Sequence, residues 1–227
     1  MQSKILTDAV SYNGFSSNYS GGEMMVIANT NPPIITPEIT KTHFTPNEYR
    51  EMEEIAKERH EYRDGEIIVM PGGSEIHSAI ASNILIYLGF LLRDTDFRFY
   101  GGDLRVWIPN FNHGTYADVM VINGEPEFNN NRTDEILNPL LIIQVLSPST
   151  EGYDRGNKFR KYRSLPSFCE YVLVSQAEAY IEQYYKQEEE NNHLWQLKAN
   201  DHIDQSVFLH SLNIELPMKE IYRRIKF

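Results

Sequence analysis

The sequence has few of the features that define several common protein classes. A single cysteine, Cys169, excludes an intrachain disulfide and a cysteine-based zinc site. No apolar run reaches the roughly 20 residues that a membrane-spanning helix needs. The N-terminus has no basic segment followed by an apolar one, so we expect no signal peptide. These absences predict a cytoplasmic protein that has no membrane partner and folds without covalent cross-links.

Basic residues are also scarce: 21 Lys and Arg stand against 32 Asp and Glu, which gives a formal net charge of -11. Such a balance argues against a general attraction to nucleic acid. The basic residues are nevertheless concentrated in one segment, residues 155–163. Four of them are candidate contacts for the phosphates of a nucleic acid, namely Arg155, Arg160, Lys161 and Arg163.

The N-terminal part of the chain has few aliphatic residues. Residues 11–22 are rich in Ser, Asn, Tyr and Gly, and residues 29–37 contain several prolines. Segments of this composition bury too little apolar surface to offset the entropy lost on folding. We therefore predict a flexible extension over residues 1–42 and one folded domain over residues 43–227.

Two local signals mark the start of this domain. Thr45 and Glu48 form a capping box, and Pro46 occupies the first helical position between them. A strand pair is predicted around Asp64-Gly65, a dipeptide that favours tight hairpins. The sequence thus predicts a helix followed by a hairpin.

A longer helix is predicted to begin after Ser74 and to end near Leu92. It carries an apolar stripe at helical spacing, formed by Ile76, Ala79, Ile80, Ile84, Leu88 and Leu91. Further along, the patterns predict strands over residues 97–100, 104–108, 116–122 and 140–146, a helix over 153–165, a strand over 171–174, a hairpin with an acidic tip over 179–198 and a short helix within 214–225. This order predicts an α/β fold around a mixed sheet.

Polar residues interrupt two of the apolar strands. Asp118 lies within residues 116–122, and Gln144 lies within residues 140–146. Lys158 follows on the next predicted helix. Hydrolysis of a phosphodiester requires an activated water and neutralisation of charge, and a divalent ion held by oxygen ligands can supply both. An acid, an amide oxygen and a lysine near one another would suit such a site.

Each of these side chains also has a purely structural interpretation. Asp118 could cap a turn at a strand end, and Gln144 could be a buried amide that pairs with the backbone or with Asp118. Lys158 could belong to a solvated helix face. His77 could cap or pack the start of its helix, and Asp103 could form a surface ion pair on its own strand.

A longer pattern joins these positions. It includes QVLSPST at residues 144–150, YDRG at 153–156, KF at 158–159, YR at 162–163 and LPS at 165–167. Shorter matches are DGE at 64–66, DLRV at 103–106 and ADV at 117–119. The pattern, over about residues 44–225, resembles the Uma-two family of endonucleases within the PD-(D/E)XK nuclease superfamily.

The resemblance implies a restriction-endonuclease-like core of helix, three strands, helix and strand, with an N-terminal helix and hairpin before it and a C-terminal hairpin after it. It also implies a Mg²⁺ or Mn²⁺ site with catalytic residues Asp118, Gln144, Lys158 and His77. The implied metal ligands are Asp118, Gln144, the Val145 carbonyl and Glu75. Asp103 and Tyr162 are implied as groups that support these ligands.

This sequence departs from the family pattern at two positions. Ala117 replaces the usual proline before the aspartate, and Gln144 replaces the usual metal-binding glutamate. The second change removes one negative charge, and amide oxygens bind Mg²⁺ more weakly than carboxylates do.

Three functions remain open at this point. The first is a divalent-metal-dependent endonuclease that acts on DNA, where a two-fold homodimer would suit cleavage of both strands. The second keeps the nuclease fold but loses the metal site, which leaves an interaction module for nucleic acid or protein. The third is a hydrolase of another phosphate ester or a nucleotide.

Overall fold

The computed structural model of the protein describes residues 41–187 and 194–227. The predicted N-terminal extension lies almost wholly outside these residues, and so does the acidic hairpin tip at residues 188–190. Both features stay predictions.

The domain begins with the predicted helix and hairpin. Helix α1 (Pro46–Ile55) is capped by Thr45, and both hydrogen bonds of the capping box are present. Strands β1 (His60–Arg63) and β2 (Glu66–Val69) pair antiparallel. Gly65 has a φ of 102° in the turn between them, a backbone conformation that residues with a side chain rarely adopt. Both predicted elements are therefore confirmed.

Helix α2 (Glu75–Leu92) is the longest helix of the described residues, and the Ser74 hydroxyl caps it by accepting a hydrogen bond from the His77 amide. One stripe of the helix is fully buried, consisting of Ile80, Ile84, Leu88 and Leu92. By length and apolar composition alone α2 could also span a membrane, a property that core helices of globular domains share. The buried stripe shows that α2 packs as a core helix.

The remaining strands are, in chain order, β3 (Phe97–Gly101), β4 (Arg105–Ile108), β5 (His113–Tyr116), β6 (Val119–Asn123), β7 (Glu135–Ile136), β8 (Leu141–Leu146), β9 (Glu170–Ser175), β10 (Ile181–Lys186), β11 (Trp195–Asn200), β12 (Ser206–Leu209) and β13 (Ile214–Pro217). A 3₁₀ turn, Pro109–Phe111, joins β4 to β5. A short helix, α5 (Met218–Ile221), follows β13.

These strands form two large sheets and a separate hairpin. The six-stranded sheet has the order β11-β10-β9-β8-β6-β3, with β8 and β9 parallel and the other neighbours antiparallel. The five-stranded sheet has the order β2-β1-β5-β4-β7, and β12 pairs with β13. The fold is therefore α/β as predicted, but the strands divide between sheets where one mixed sheet was expected.

The six-stranded sheet contains the predicted core order. Helix α2 is followed by β3, β6 and β8, then by a helical segment and β9, which matches helix, three strands, helix, strand. One apolar cluster lies between α2 and this sheet, and a second lies on the side of the helical segment. The central strands of this sheet are therefore buried on both faces, as the continuous apolar runs of β6 and β8 indicate.

The prediction of one strand over residues 116–122 is wrong. Strand β5 ends at Tyr116 in the five-stranded sheet, and β6 begins at Val119 in the six-stranded sheet. Ala117 and Asp118 form the crossing between the two sheets. Tyr116, Ala117 and Val119 are all buried, so the apolar pattern continues from β5 into β6 on both sides of Asp118. The sequence therefore gives no sign that the chain changes sheets here.

The predicted helix over residues 153–165 is shorter and less regular than expected. It consists of α3 (Glu151–Tyr153), a π-helical turn (Asp154–Lys158) and α4 (Phe159–Tyr162). A π-helical turn contains more residues than a turn of α-helix, and such turns are frequent at functional sites. Here both end residues of the turn, Asp154 and Lys158, are charged and buried.

Candidate active site

Asp118 lies at the crossing between the two sheets, next to the middle of β8. Its Oδ2 atom accepts hydrogen bonds from the Gln144 amide nitrogen at 2.6 Å and from the Val145 backbone nitrogen at 2.7 Å. Its side chain is 18% exposed. The carboxylate is thus held on its inner side and is open to solvent on the other, which suits a group that binds a ligand.

Gln144 uses both ends of its buried amide. Its nitrogen donates to Asp118, and its oxygen accepts a hydrogen bond from Lys158 Nζ at 3.2 Å. Pairing with Asp118 was one of the two interpretations left open by the sequence. The amide therefore connects the acid to the lysine through a continuous chain of hydrogen bonds.

Lys158 is only 3% exposed, which excludes the alternative that it belongs to a solvated helix face. Its ammonium donates to the Tyr116 carbonyl at 3.0 Å and lies 3.5 Å from Glu61 Oε1 and 3.4 Å from Asp154 Oδ1. Burial alone would lower the pKa of Lys158, but the neighbouring Tyr162 and the two carboxylates raise it well above its usual value. Lys158 is therefore a buried permanent cation.

Glu61 and Asp154 are site residues that the sequence did not reveal as such. Glu61 lies on β1, on the face opposite Tyr62, which stacks on the Tyr49 ring of α1. Asp154 begins the π-helical turn and is buried with Lys158. Because β1 is covered on both faces, its sequence shows no alternation that would have indicated an inward-facing acid. For Asp154, the four-residue spacing to Lys158 was the available signal.

Several donors hold Glu61 as an anion. Thr115 donates a short hydrogen bond to Oε1, and the Arg63 guanidinium donates to Oε2 at 2.6 Å. Burial would raise the pKa of Glu61, but the charge of Lys158 and these hydrogen bonds lower it from 4.5 to about 2. Glu61 and Lys158 thus stabilise each other's charged forms.

This depressed pKa predicts a loss of stability in acid. The contribution of Glu61 is fully present above its unfolded-state pKa of 4.5 and is lost as the pH falls through that value toward 2. Over this window the loss is on the order of 3 kcal/mol. Urea unfolding of wild type and Glu61→Gln from pH 7 to pH 2 measures it. The free-energy difference between the two proteins should shrink in acid, and a constant difference would contradict the assignment.

His77, at the start of α2, completes the other end of the hydrogen-bonded chain. Its Nε2 lies 3.4 Å from Asp118 Oδ2. A hydrogen bond to Asp118 raises the pKa of His77, and a further bond to the Val145 backbone raises it as well. The sequence predicted His77, Asp118 and the Val145 carbonyl at one site, and the structure brings them together.

Three further residues were predicted to belong to the site. Glu75 is exposed on the first turn of α2 and, within the described part of the chain, its side chain has no ion pair. Asp103 faces solvent and pairs with Arg59 at 3.4 Å. Tyr162 is fully buried beside Lys158, as expected of a supporting group. The Asp103 side chain is paired with Arg59 and not with the described residues around Asp118. The ligand role predicted for Glu75 and the supporting roles predicted for Asp103 and Tyr162 stay predictions.

The predicted basic cluster divides into two pairs. Arg155 is bound to Glu151 and Glu182, and Lys161 is half-buried with its Nζ 3.4 Å from His113 Nδ1. Arg160 and Arg163 are exposed. Within this cluster, only Arg160 and Arg163 can meet a phosphate without first breaking a side-chain hydrogen bond.

The site offers about the smallest number of protein ligands with which a divalent ion is bound. Mg²⁺ keeps several water molecules and takes as few as one or two protein carboxylates. Asp118 offers one partly exposed carboxylate, and His77 contacts both that carboxylate and the Val145 backbone. Among residues 41–187 and 194–227, no group of three or more His, Cys, Asp and Glu side chains is arranged around a metal position. Asp118 and Val145 would therefore hold the ion weakly. The Gln144 oxygen would contribute only if the amide turned over, because its nitrogen is the end that faces Asp118.

Comparison with known proteins gives a matching family model and similar proteins. Residues 46–219 match the family model Uma2, which is described as "Putative restriction endonuclease". Two proteins of Synechocystis sp., both named as uncharacterized proteins, are similar over most of their length. The protein slr1290 is 36% identical over 183 residues, covering 81% of this chain and 93% of its own, and sll1609 is 38% identical over 142 residues, covering 63% and 80%.

A solved structure has the same fold. It is the crystal structure of a "putative nuclease belonging to DUF820" from Anabaena variabilis, which is 20% identical to this chain. The superposition has a TM-score of 0.61 and covers 77% of this chain and 96% of the other. At this level of identity the likeness establishes the fold, and the chemistry must be argued from the site itself.

Proposed function

Since the chain belongs to the Uma2 restriction-endonuclease family, we propose that it is a divalent-metal-dependent endonuclease that hydrolyses phosphodiester bonds in DNA. One observation carries this proposal. His77, Asp118, Gln144 and Lys158 come from four separate elements and form one continuous chain of polar contacts at the junction of the two sheets.

The roles of the residues follow from their exposure and charge. Asp118 is the partly exposed acid and would hold the ion together with the Val145 carbonyl. The bound ion would supply an activated water and neutralise charge on the phosphate. Lys158 is buried and charged, so it holds Gln144 and offsets Glu61 and Asp154 instead of taking a proton from water. Gln144 fixes the inner side of Asp118.

A metal titration tests the function. Purified protein is incubated with supercoiled plasmid DNA over a series of Mg²⁺ and Mn²⁺ concentrations, and nicked and linear products are measured. Cleavage should rise with either ion and should disappear with EDTA. Because the described residues place one carboxylate, that of Asp118, at this position, activity should saturate at ion concentrations above those typical of sites with two carboxylates. Cleavage that continues in EDTA, or no cleavage at any concentration of either ion, would contradict the proposal.

One observation favours a second candidate function. Both ends of the Gln144 amide are already hydrogen bonded within the protein, so the site is satisfied without an ion. A protein of this kind would keep the fold as an interaction module for nucleic acid. The two candidates differ in one measurement: the module binds DNA in EDTA and leaves it intact after Mn²⁺ is added.

A further inference from the structure

Basic and aromatic side chains share a cleft of 480 Å³ beside α4 and the β10–β11 hairpin. We call it the basic cleft. Its charged groups are Arg160, Arg163 and Lys186, and its aromatic groups include Phe111 and Trp195. A volume of this size lies in the range of sites that bind small ligands or single nucleotides.

The three cations of the basic cleft have no carboxylate partner among the residues that the structure describes. Arg155, one helical segment away, is bound by Glu151 and Glu182. Within the described part of the chain, the basic cleft therefore carries three positive charges with no carboxylate bound to them, although the whole protein has a net charge of -11. This local excess of positive charge favours an anionic ligand.

Aromatic rings hold the two arginines in place. The guanidinium of Arg160 lies 5.2 Å from the centre of the Phe111 ring, and that of Arg163 lies 4.9 Å from the centre of the Phe159 ring. Such contacts fix the plane of a guanidinium without using its N–H donors. The donors therefore remain available for phosphate oxygens.

The floor of the basic cleft is apolar. Trp195 is half-buried, packs against Phe168 with ring centres 5.4 Å apart and meets Phe159 edge to face at 5.2 Å. An apolar floor adds nothing to the binding of a bare phosphate. It suits a ligand that combines a flat ring with negative charge, because a base can stack on an aromatic side chain while its phosphates meet the cations.

We propose that the basic cleft binds an unpaired nucleotide of single-stranded nucleic acid, with its base on Trp195 and its flanking phosphates on Arg160, Arg163 and Lys186. The inference rests on the proposed function for its premise that the ligand is a nucleic acid. It adds that the protein binds a segment of a nucleic-acid strand whose bases are unstacked. The bases of an intact duplex are stacked inside the helix and are not available to Trp195.

Tryptophan fluorescence can test this directly. The chain has two tryptophans, and Trp107 is 5% exposed within the core, so Trp195 is the one that a ligand can reach. Protein in EDTA is titrated with a short single-stranded oligothymidylate and with a duplex of the same length. Saturable quenching is expected with the single strand, much less with the duplex, and none in the variant Trp195→Phe.

Anisotropy of a labelled oligothymidylate measures the contribution of the cations. The double variant Arg160→Gln/Arg163→Gln should bind about tenfold or more weakly, and the dependence of log affinity on log salt concentration should fall by about 1.4, since each single-strand phosphate contact contributes about 0.7. A matched control is Arg223→Gln/Arg224→Gln, which makes the same charge change near the C-terminus. It should bind as wild type does.

The outcomes separate this inference from the proposed function. Equal weakening by the two double variants would overturn it, because general charge would then explain binding. Equal quenching by duplex and single strand would overturn it as well, and so would the absence of quenching. Binding and quenching in EDTA by a protein that never cleaves DNA would support the basic cleft while refuting the endonuclease activity.

Discussion

Replacing Asp118 by asparagine is expected to lower metal-dependent DNA cleavage by about a hundredfold or more. The substitution keeps the shape of the side chain, and its remaining oxygen can still accept the hydrogen bond from Val145. It removes the one carboxylate that reaches solvent in this chain of contacts. Mutation of a residue that only supports a metal ligand lowers metal affinity or activity by roughly 10- to 100-fold. Loss of the charged ligand itself should lower activity at least as much.

The matched control for this variant is Asp103→Asn. Asp103 is also an acid near the end of a strand, but it faces solvent and pairs with Arg59. Initial cleavage rates of both variants are compared with that of wild type at saturating Mn²⁺, and circular dichroism verifies that both are folded. A folded Asp118→Asn protein that cleaves as fast as Asp103→Asn would remove Asp118 from the mechanism.

The substitution Gln144→Glu is expected to increase Mg²⁺ affinity about 10- to 100-fold and to make stability depend on the ion. Without metal, the new carboxylate would lie near Asp118, where the amide nitrogen is now at 2.6 Å. Two carboxylates this close cannot both ionise freely, so one of them would retain a proton or the site would lose stability. A divalent ion between them relieves this repulsion, and binding to the folded state alone raises the melting temperature.

Thermal unfolding with and without Mg²⁺ measures the effect, and Gln183→Glu is its control. Gln183 is also a buried amide that donates to a carboxylate, Glu170, at 2.5 Å. The Gln183→Glu protein should lose stability, and Mg²⁺ should restore little of it because Ser211 and the His210 amide already bind Glu170. If Mg²⁺ stabilises both variants equally, or neither, the position of Gln144 is not a metal position.

The local signals in the sequence predicted the framework well. The capping box at Thr45, the hairpin at Gly65 and the buried strand β8 are all governed by interactions between near neighbours in the chain. The family pattern added the order of elements in the core. It also placed Asp118, Gln144 and Lys158 at one site, which none of the three residues would have indicated alone.

Long-range packing explains what could not be predicted. The burial of Lys158 depends on Glu61, which lies 97 positions earlier in the chain, on a strand of the five-stranded sheet. No pattern near either residue records that contact. The division of residues 116–122 between two sheets has the same origin, because an apolar strand has the same sequence character in whichever sheet it lies.

The π-helical turn at Asp154–Lys158 has one more consequence. A π-helical turn fits about one more residue into the rotation of one α-helical turn. Removing one residue from this turn would therefore restore a regular helix and leave the segments on either side nearly in their present orientation. Phe159 and Tyr162 would stay in the core, but the side chains within the turn would point in new directions, including those of the buried pair Asp154 and Lys158. The extra residue thus changes where the charged side chains point without disturbing the packing that follows it.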